Sequence, residues 1–302
     1  KGGVVCFDGA SHGRTMGAQM MTGSASAREW IGFEDPSMYH LPFPYPWAEG
    51  VSEAGQFFED SISQLIKEKG IDPDKDLCGF MLESFQGWGA VFYPVEFVQA
   101  LFAFAHKHNI LVAFDEMQAG FGRTGKLFGY MHYGVEPDLL CLGKGASSGL
   151  PLSVVLGSQE VMDLPDIGSM SSTHSANPLC CVAGHENLKA MLEDRLVESS
   201  ERLGALFHQS LNDIKTNYPD VLKYVFGTGL LAALVFIDRN GKPLSHLCDK
   251  ICEKAMQRGL LVVHTGRESI KLAPPLTISE DALVEGVQVL EGCIRDSVDE
   301  LL

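Results

Sequence analysis

The stretch Ile110-Leu-Val-Ala-Phe-Asp115-Glu-Met-Gln118 is a five-residue apolar run that ends abruptly in two carboxylates. Twenty-six residues beyond Gln118, a second run of the same kind, Leu139-Leu-Cys-Leu-Gly-Lys144-Gly, ends in an amine. Short apolar runs bounded in this way read as buried parallel strands. Ligands of open α/β sheets sit outside the carboxyl ends of such strands. The two runs therefore deliver one carboxylate and one amine to a common rim.

Outward from this pair, residues 1 to about 180 alternate between strand-like and helix-like segments. Strands are expected at Val4–Phe7, Cys78–Glu83, Leu111–Asp115, Leu139–Gly143 and Val154–Gly157. Helices are expected at Phe57–Lys69 and Pro94–His108, the second with Val95, Val98, Leu101, Phe102 and Ala105 at helical spacing. Such alternation implies right-handed crossovers and a mostly parallel sheet. Trp30–Gly50, rich in Pro and aromatic residues, reads as a long ordered loop. A helical pattern from Pro178 to about Thr216 reads as one connector. After it come a strand at Gly229–Ile237, a helix at Leu244–Arg258, strands at Leu260–Val263 and Ser269–Leu272, and a helix at Ser279–Leu302. The expected fold class is α/β, with a large domain over residues 1–200 and a smaller α/β domain over 201–302.

Bulk properties exclude several functions. The chain has 302 residues, 39 acidic against 23 basic, and a formal net charge of −16. Such a surface repels phosphate backbones, so nucleic acid is not an expected partner. No run of eighteen apolar residues exists, so no membrane span is expected, and the front of the chain reads as a strand and not as a signal peptide. The eight cysteines form no Cys-x-x-Cys pair. Cys6, Cys78 and Cys141 lie in apolar runs and read as buried thiols. Cys248 and Cys252 lack the partners of a zinc site, so no metal is expected, and a reducing, cytoplasmic setting fits best. Gly120-Phe-Gly-Arg-Thr-Gly125-Lys126 has the spacing of a phosphate-binding loop, but Leu127 stands where that loop needs Ser or Thr.

Four further segments stand in order with Lys144: Asp8-Gly-Ala-Ser11-His12-Gly-Arg-Thr15, Glu83-Ser-Phe-Gln86-Gly, Asp115-Glu-Met117-Gln118-Ala-Gly-Phe-Gly-Arg123-Thr-Gly, and Ser172-Thr173-His-Ser-Ala-Asn177-Pro178. With Leu272-Ala-Pro274-Pro275-Leu-Thr near the end, they resemble the class III aminotransferases over essentially the whole chain. That family depends on pyridoxal phosphate (PLP) and has the fold called type I. The resemblance implies that Lys144 holds PLP as a Schiff base and moves the proton, while Asp115 pairs with the pyridine nitrogen. It places Gln118 on the ring phenolic oxygen, Met117 on one ring face, and Glu83 in the cofactor site. Ser11 stands where the family has a stacking aromatic, which leaves His12 for that face. Thr173 matches the residue that reaches the cofactor phosphate from a partner subunit, implying a homodimer with shared active sites.

On the substrate side, Trp88 stands where members acting on ω-amino acids often carry Glu. Lys271 stands where an arginine often grips a carboxylate, with Arg267 four residues earlier, and Phe226 replaces another frequent arginine. Lysine is a point charge and not a planar fork, so the exchange changes anion recognition. The reaction implied is transfer of an amino group from an amine or amino acid to a 2-oxo acid. Alternatives on the same residues are an epimerase, decarboxylase or lyase, or a truncated, impaired aminotransferase-like scaffold. In the resembling family a small-residue turn upstream of His-Gly meets the phosphate. No such turn precedes Gly2, so the resemblance implies the C-terminal majority of a longer protein, holding PLP poorly by itself.

Overall fold

Asp115 and Lys144 owe their placement to a six-stranded sheet. The computed structural model describes residues 2–301 and divides into two units. The first comprises residues 2–87, Tyr93–Gly120 and Gly129–Lys189; the second comprises Trp88–Phe92, Phe121–Phe128 and residues 190–301.

In the first unit the strands are β1 (Gly3–Phe7), β2 (Met38–Leu41), β3 (Leu77–Glu83), β4 (Leu111–Asp115), β5 (Leu139–Leu142) and β6 (Val154–Gly157). They lie in the order β2-β1-β3-β4-β5-β6, all parallel except the antiparallel edge β6. The register sets Glu83 beside Asp115 and Asp115 beside Cys141, so three parallel strands end in line. Helices α1 (Ala54–Lys69) and α2 (Val95–Lys107) pack together. Phe58, Ile62 and Leu65 form the buried stripe of α1, and Gly70 closes it in a left-handed C-cap. Phe58 meets Phe97 of α2 edge-on at 5.3 Å, and Phe97 meets Phe7 of β1 at 5.8 Å.

Several expectations are corrected. Trp30–Gly50 is not all loop: Met38–Leu41 pairs in parallel with β1 as the sheet edge. Its backbone finds ladder partners although Pro and aromatic neighbours mask any period. Val95 is exposed although it falls in the helical apolar spacing, while Phe97 is buried with Val98 and Leu101. Cys6 is buried, but Cys78 and Cys141 are half-buried. The pattern after Pro178 is two helices, α3 (Pro178–Glu193) and α4 (Leu196–Asn217). Arg195 between them is left-handed, with φ 53°, which stops the first ladder of hydrogen bonds.

In the second unit, β7 (Leu222–Thr228), β8 (Leu231–Phe236), β9 (Val263–His264) and β10 (Ser269–Leu272) form an antiparallel sheet in the order β9-β10-β8-β7. β7 was not expected, and only Val263 of the expected strand Leu260–Val263 is extended in the sheet. Helices α4, α5 (Ser245–Gln257) and α6 (Glu280–Leu301) cover one face, sharing a core with Leu234, Ile270 and Leu272. The alternate residues Phe226, Ala233 and Lys271 are cross-strand neighbours on the other face. Gly229, at φ 60°, lets the β7–β8 turn touch the backbone at Thr124 and α4 at Gly204, where no Cβ would fit. Half-buried Arg123 fastens the same region by donating to the carbonyls of Leu230, at 2.9 Å, and Pro274, at 2.5 Å. Residues 121–128 are turns and bends that lead only into a short 3-10 helix, Gly129–Tyr133, so the apparent phosphate loop opens no α-helix. No helix among the described residues is long and apolar enough to cross a membrane.

Candidate active site

Asp115 is the last residue of β4 and is buried. Its Oδ1 accepts the Met117 N–H at 3.0 Å, and its Oδ2 lies 2.9 Å from His12 Nδ1. The carboxylate is thus aimed by its own turn and by a ring from the β1 side of the sheet. Lys144 follows β5 by two residues, at the same end of the adjacent parallel strand. There the chain turns into a single 3-10 turn, Lys144–Ala146, and Lys144 is exposed with φ 42°. A side chain with a Cβ pays about 1 kcal/mol or more for this left-handed backbone. Met117 packs against Gly143 where a Cβ would fall, so the two strand-end turns touch.

The remaining first-unit residues gather around this rim. Glu83 Oε2 accepts the Ser11 N–H at 3.0 Å and fixes the Ser11-His12 turn to the end of β3. A Cβ on Gly87 would lie 2.5 Å from Gln118 Nε2 and 3.1 Å from Glu83 Oε1, so these two side chains converge on a bare backbone. His12 does not offer a free stacking face as expected: its side chain is 1% exposed and bound edgewise to Asp115. Its Nε2 is buried without a hydrogen-bond partner. Thr173 lies in an exposed run of turns over residues 171–176.

These residues fit a pyridine cofactor carrying an aldehyde. A buried, pre-aimed carboxylate suits a ring N–H, and an exposed amine on the adjacent strand end suits the aldehyde. The missing Cβ at Gly87 and Gly143 lets Gln118 and Met117 lie directly against the backbone at this rim.

The supporting roles of four residues were missed by sequence reasoning. Buried Glu116 accepts from Ser84 Oγ, Gly129 N at 2.8 Å and Tyr130 N at 2.7 Å. Burial raises its pKa, and these three donors oppose the rise. Asn187 of α3 donates to the carbonyls of Gly145, at 2.8 Å, and Ala146, at 3.3 Å, and so holds the lysine turn. Gly184, one turn earlier on α3, lets that helix approach Leu152 and the Ala146 carbonyl. Their i, i+3 spacing was the available signal. Gln86 donates to the Asp8 carbonyl and accepts from Tyr45 Oη at 2.9 Å, tying β1 to β3. Burial, followed by the nearby Asp115 charge, also raises the pKa of Cys141.

The expected substrate residues belong to the second unit. The Arg267 guanidinium carbon sits 3.7 Å above the Trp88 ring. Its Nη2 is 3.1 Å from Glu268 Oε1. Ser269 Oγ donates to the Trp88 carbonyl at 3.0 Å. Lys271, half-buried on β10, lines an apolar cavity of about 280 Å³ with Leu260, Pro274, Pro275 and Leu283.

Comparison with known proteins agrees with this arrangement. The model of the family described as aminotransferase class-III matches residues 1–294. A 2-aminoadipate transaminase of Pseudomonas putida is 32% identical, covering 98% of this chain and 71% of its own length. An alanine/serine racemase of Pyrococcus horikoshii is 29% identical, covering 98% of this chain and 64% of its own. A solved amine transaminase from an uncultivated Pseudomonas species, in its PLP-bound form, superposes with a TM-score of 0.88 at 25% identity, covering 98% of this chain and 70% of that one.

Proposed function

The chain belongs to the class III aminotransferases, and from that premise we propose that Lys144 and Asp115 carry its chemistry. The protein is a PLP-dependent aminotransferase, taking an amino group from a donor and giving it to a 2-oxo acid. When bound, PLP supplies an aldehyde for the donor nitrogen and a ring that accepts the electron pair of the broken C–H bond. Asp115 holds a proton at the ring nitrogen, and His12 and the Met117 amide keep its carboxylate aimed. Lys144 Nζ would hold the aldehyde end of the cofactor and, when free, would carry the proton from the donor carbon to the cofactor carbon that keeps the nitrogen. Gln118 would donate to the ring oxygen and Met117 would cover one ring face, while Glu83 holds the Ser11-His12 turn to the end of β3.

The observation that carries this reading is the register of β4 and β5, which brings Asp115 and Lys144 to the same end of neighbouring strands. Borohydride treatment of the PLP-loaded protein, followed by peptide mass analysis, tests it. A covalent cofactor adduct is expected on Lys144 and is expected to vanish in Lys144→Ala. An adduct on another residue overturns the assignment. The relative named a racemase supports a second reading of the same pair. Donor supplied without an oxo acid separates the two: stoichiometric oxo product marks a transaminase, and inverted donor a racemase.

The donor is proposed to bear a carboxylate read by Arg267 on Trp88, because a planar guanidinium offers two parallel donors where Lys271 offers a point charge. Thr173 is proposed to reach the cofactor phosphate of a partner subunit in a homodimer. The exposed apolar side chains Leu164, Ile167, Met170, Leu179 and Val182, which flank it in sequence, support this. Eight free cysteines support a reducing, cytoplasmic setting.

A further inference from the structure

We propose that the Asp249–His264 pair positions Arg267 and thereby sets the enzyme's preference for carboxylate-bearing donors. This rests on the reading that Arg267 meets the donor carboxylate. His264 is the last residue of β9, and its register opposite Ile270 turns it toward the helix-covered face. There its Nδ1 lies 2.8 Å from Asp249 Oδ1 on α5. Its Nε2 lies 2.6 Å from the backbone carbonyl of Arg267. Both partners are acceptors, so the ring meets both only with a proton on each nitrogen. The imidazole is therefore a strut between a helix and the tip of a turn.

That turn is also held at its base and just beyond Arg267, where the Glu268 carbonyl accepts the Phe236 N–H at 2.7 Å. The β9–β10 connection runs through Thr265-Gly266-Arg267-Glu268, with Gly266 left-handed at φ 80°. Thr265 Oγ1 meets Ser269 Oγ at 2.6 Å, and Ser269 Oγ reaches the Trp88 carbonyl at 3.0 Å. These bonds fix the turn on both sides of Arg267, and His264 is the partner of the Arg267 carbonyl itself. A guanidinium 3.7 Å over an indole has little tolerance for a shifted backbone, and Glu268 at 3.1 Å competes for it. Asp249 and His264 thus act through Arg267 as positioning residues, and neither is assigned contact with the donor.

The test compares kcat/KM for two amino donors on the PLP-loaded enzyme, one carrying a carboxylate and one a phenyl-substituted amine without it. His264→Phe is expected to lower the ratio of the two about tenfold, through KM of the carboxylate donor and with kcat unchanged. Asp249→Asn, at an exposed side chain, is expected to lower it about threefold and carries the test if His264→Phe does not fold. Arg267→Gln is expected to lower it more than either, with no further fall when His264→Phe is added. An equal loss for both donors in the Asp249 and His264 variants overturns the positioning role. An unchanged ratio in Arg267→Gln overturns instead the reading that Arg267 meets the carboxylate.

Discussion

Asp115→Asn separates the charge of this side chain from its shape. The carboxylate accepts from Met117 N at 3.0 Å and meets His12 Nδ1 at 2.9 Å. An amide oxygen keeps the first bond. The amide nitrogen donates to His12 once the imidazole carries its proton on Nε2, a nitrogen with no other partner. The cost in stability is then one ordinary hydrogen bond, about 1 kcal/mol. The lost charge costs more. A carboxylate beside a cationic ring N–H at a charge-assisted distance of about 2.8 Å interacts by roughly 332/(20 × 2.8), about 6 kcal/mol, at an effective dielectric near 20. A neutral amide in its place retains roughly 1.5 kcal/mol. The remaining difference of about 4 kcal/mol corresponds to about a thousandfold in kcat. The assay is transfer from donor to 2-oxo acid at saturating PLP, with calorimetric Tm measured in parallel. A kcat within tenfold of wild type at unchanged Tm would refute the pairing of Asp115 with the ring nitrogen.

Arg123→Met leaves the carbonyls of Leu230 and Pro274 without their donor, and unfolding titrations should show a loss of about 2–5 kcal/mol. A change below about 0.5 kcal/mol, the range of ordinary surface substitutions, would contradict that role. His208 donates from Nε2 to the Leu231 carbonyl at 3.0 Å, and burial lowers its pKa below the usual value near 6.5. The unfolded chain then binds the proton first, so the stability it contributes is present above about pH 6.5 and is lost as pH falls through the lowered folded value. His208→Gln should flatten the fall of the urea midpoint between about pH 7 and 5, and an unaltered slope would assign the effect elsewhere. Ile167→Asp, at one of the exposed apolar side chains flanking Thr173, should convert the proposed dimer to monomer by light scattering, and a persistent dimer would move the interface off this segment.

Much of the first unit was legible because burial on both faces forces apolar runs, and β3, β4 and β5 have them. Met38–Leu41 escaped because an edge strand needs no such run. The break at Arg195 escaped because apolar residues recur at helical spacing on both sides of it. β7 escaped because Lys223, Tyr224 and Gly227 dilute its apolar alternation. The candidate pair Asp115 and Lys144 was legible from strand ends alone. The His12–Asp115 contact was not, since 103 residues separate the partners and only the sheet order brings β1 near β4. Likewise nothing local distinguishes Glu116 from Asp115, yet one carboxylate is spent on three structural donors while the other faces the rim.

The left-handed backbone at Lys144 sets folding against chemistry at a single codon. Glycine would relax that turn, so on thermodynamic grounds the lysine is a poor choice for its own site. It persists only while reactivity is under selection. A lineage freed from that demand is expected to gain stability by losing it, and erosion of the enzyme to begin at the residue proposed to carry its catalysis.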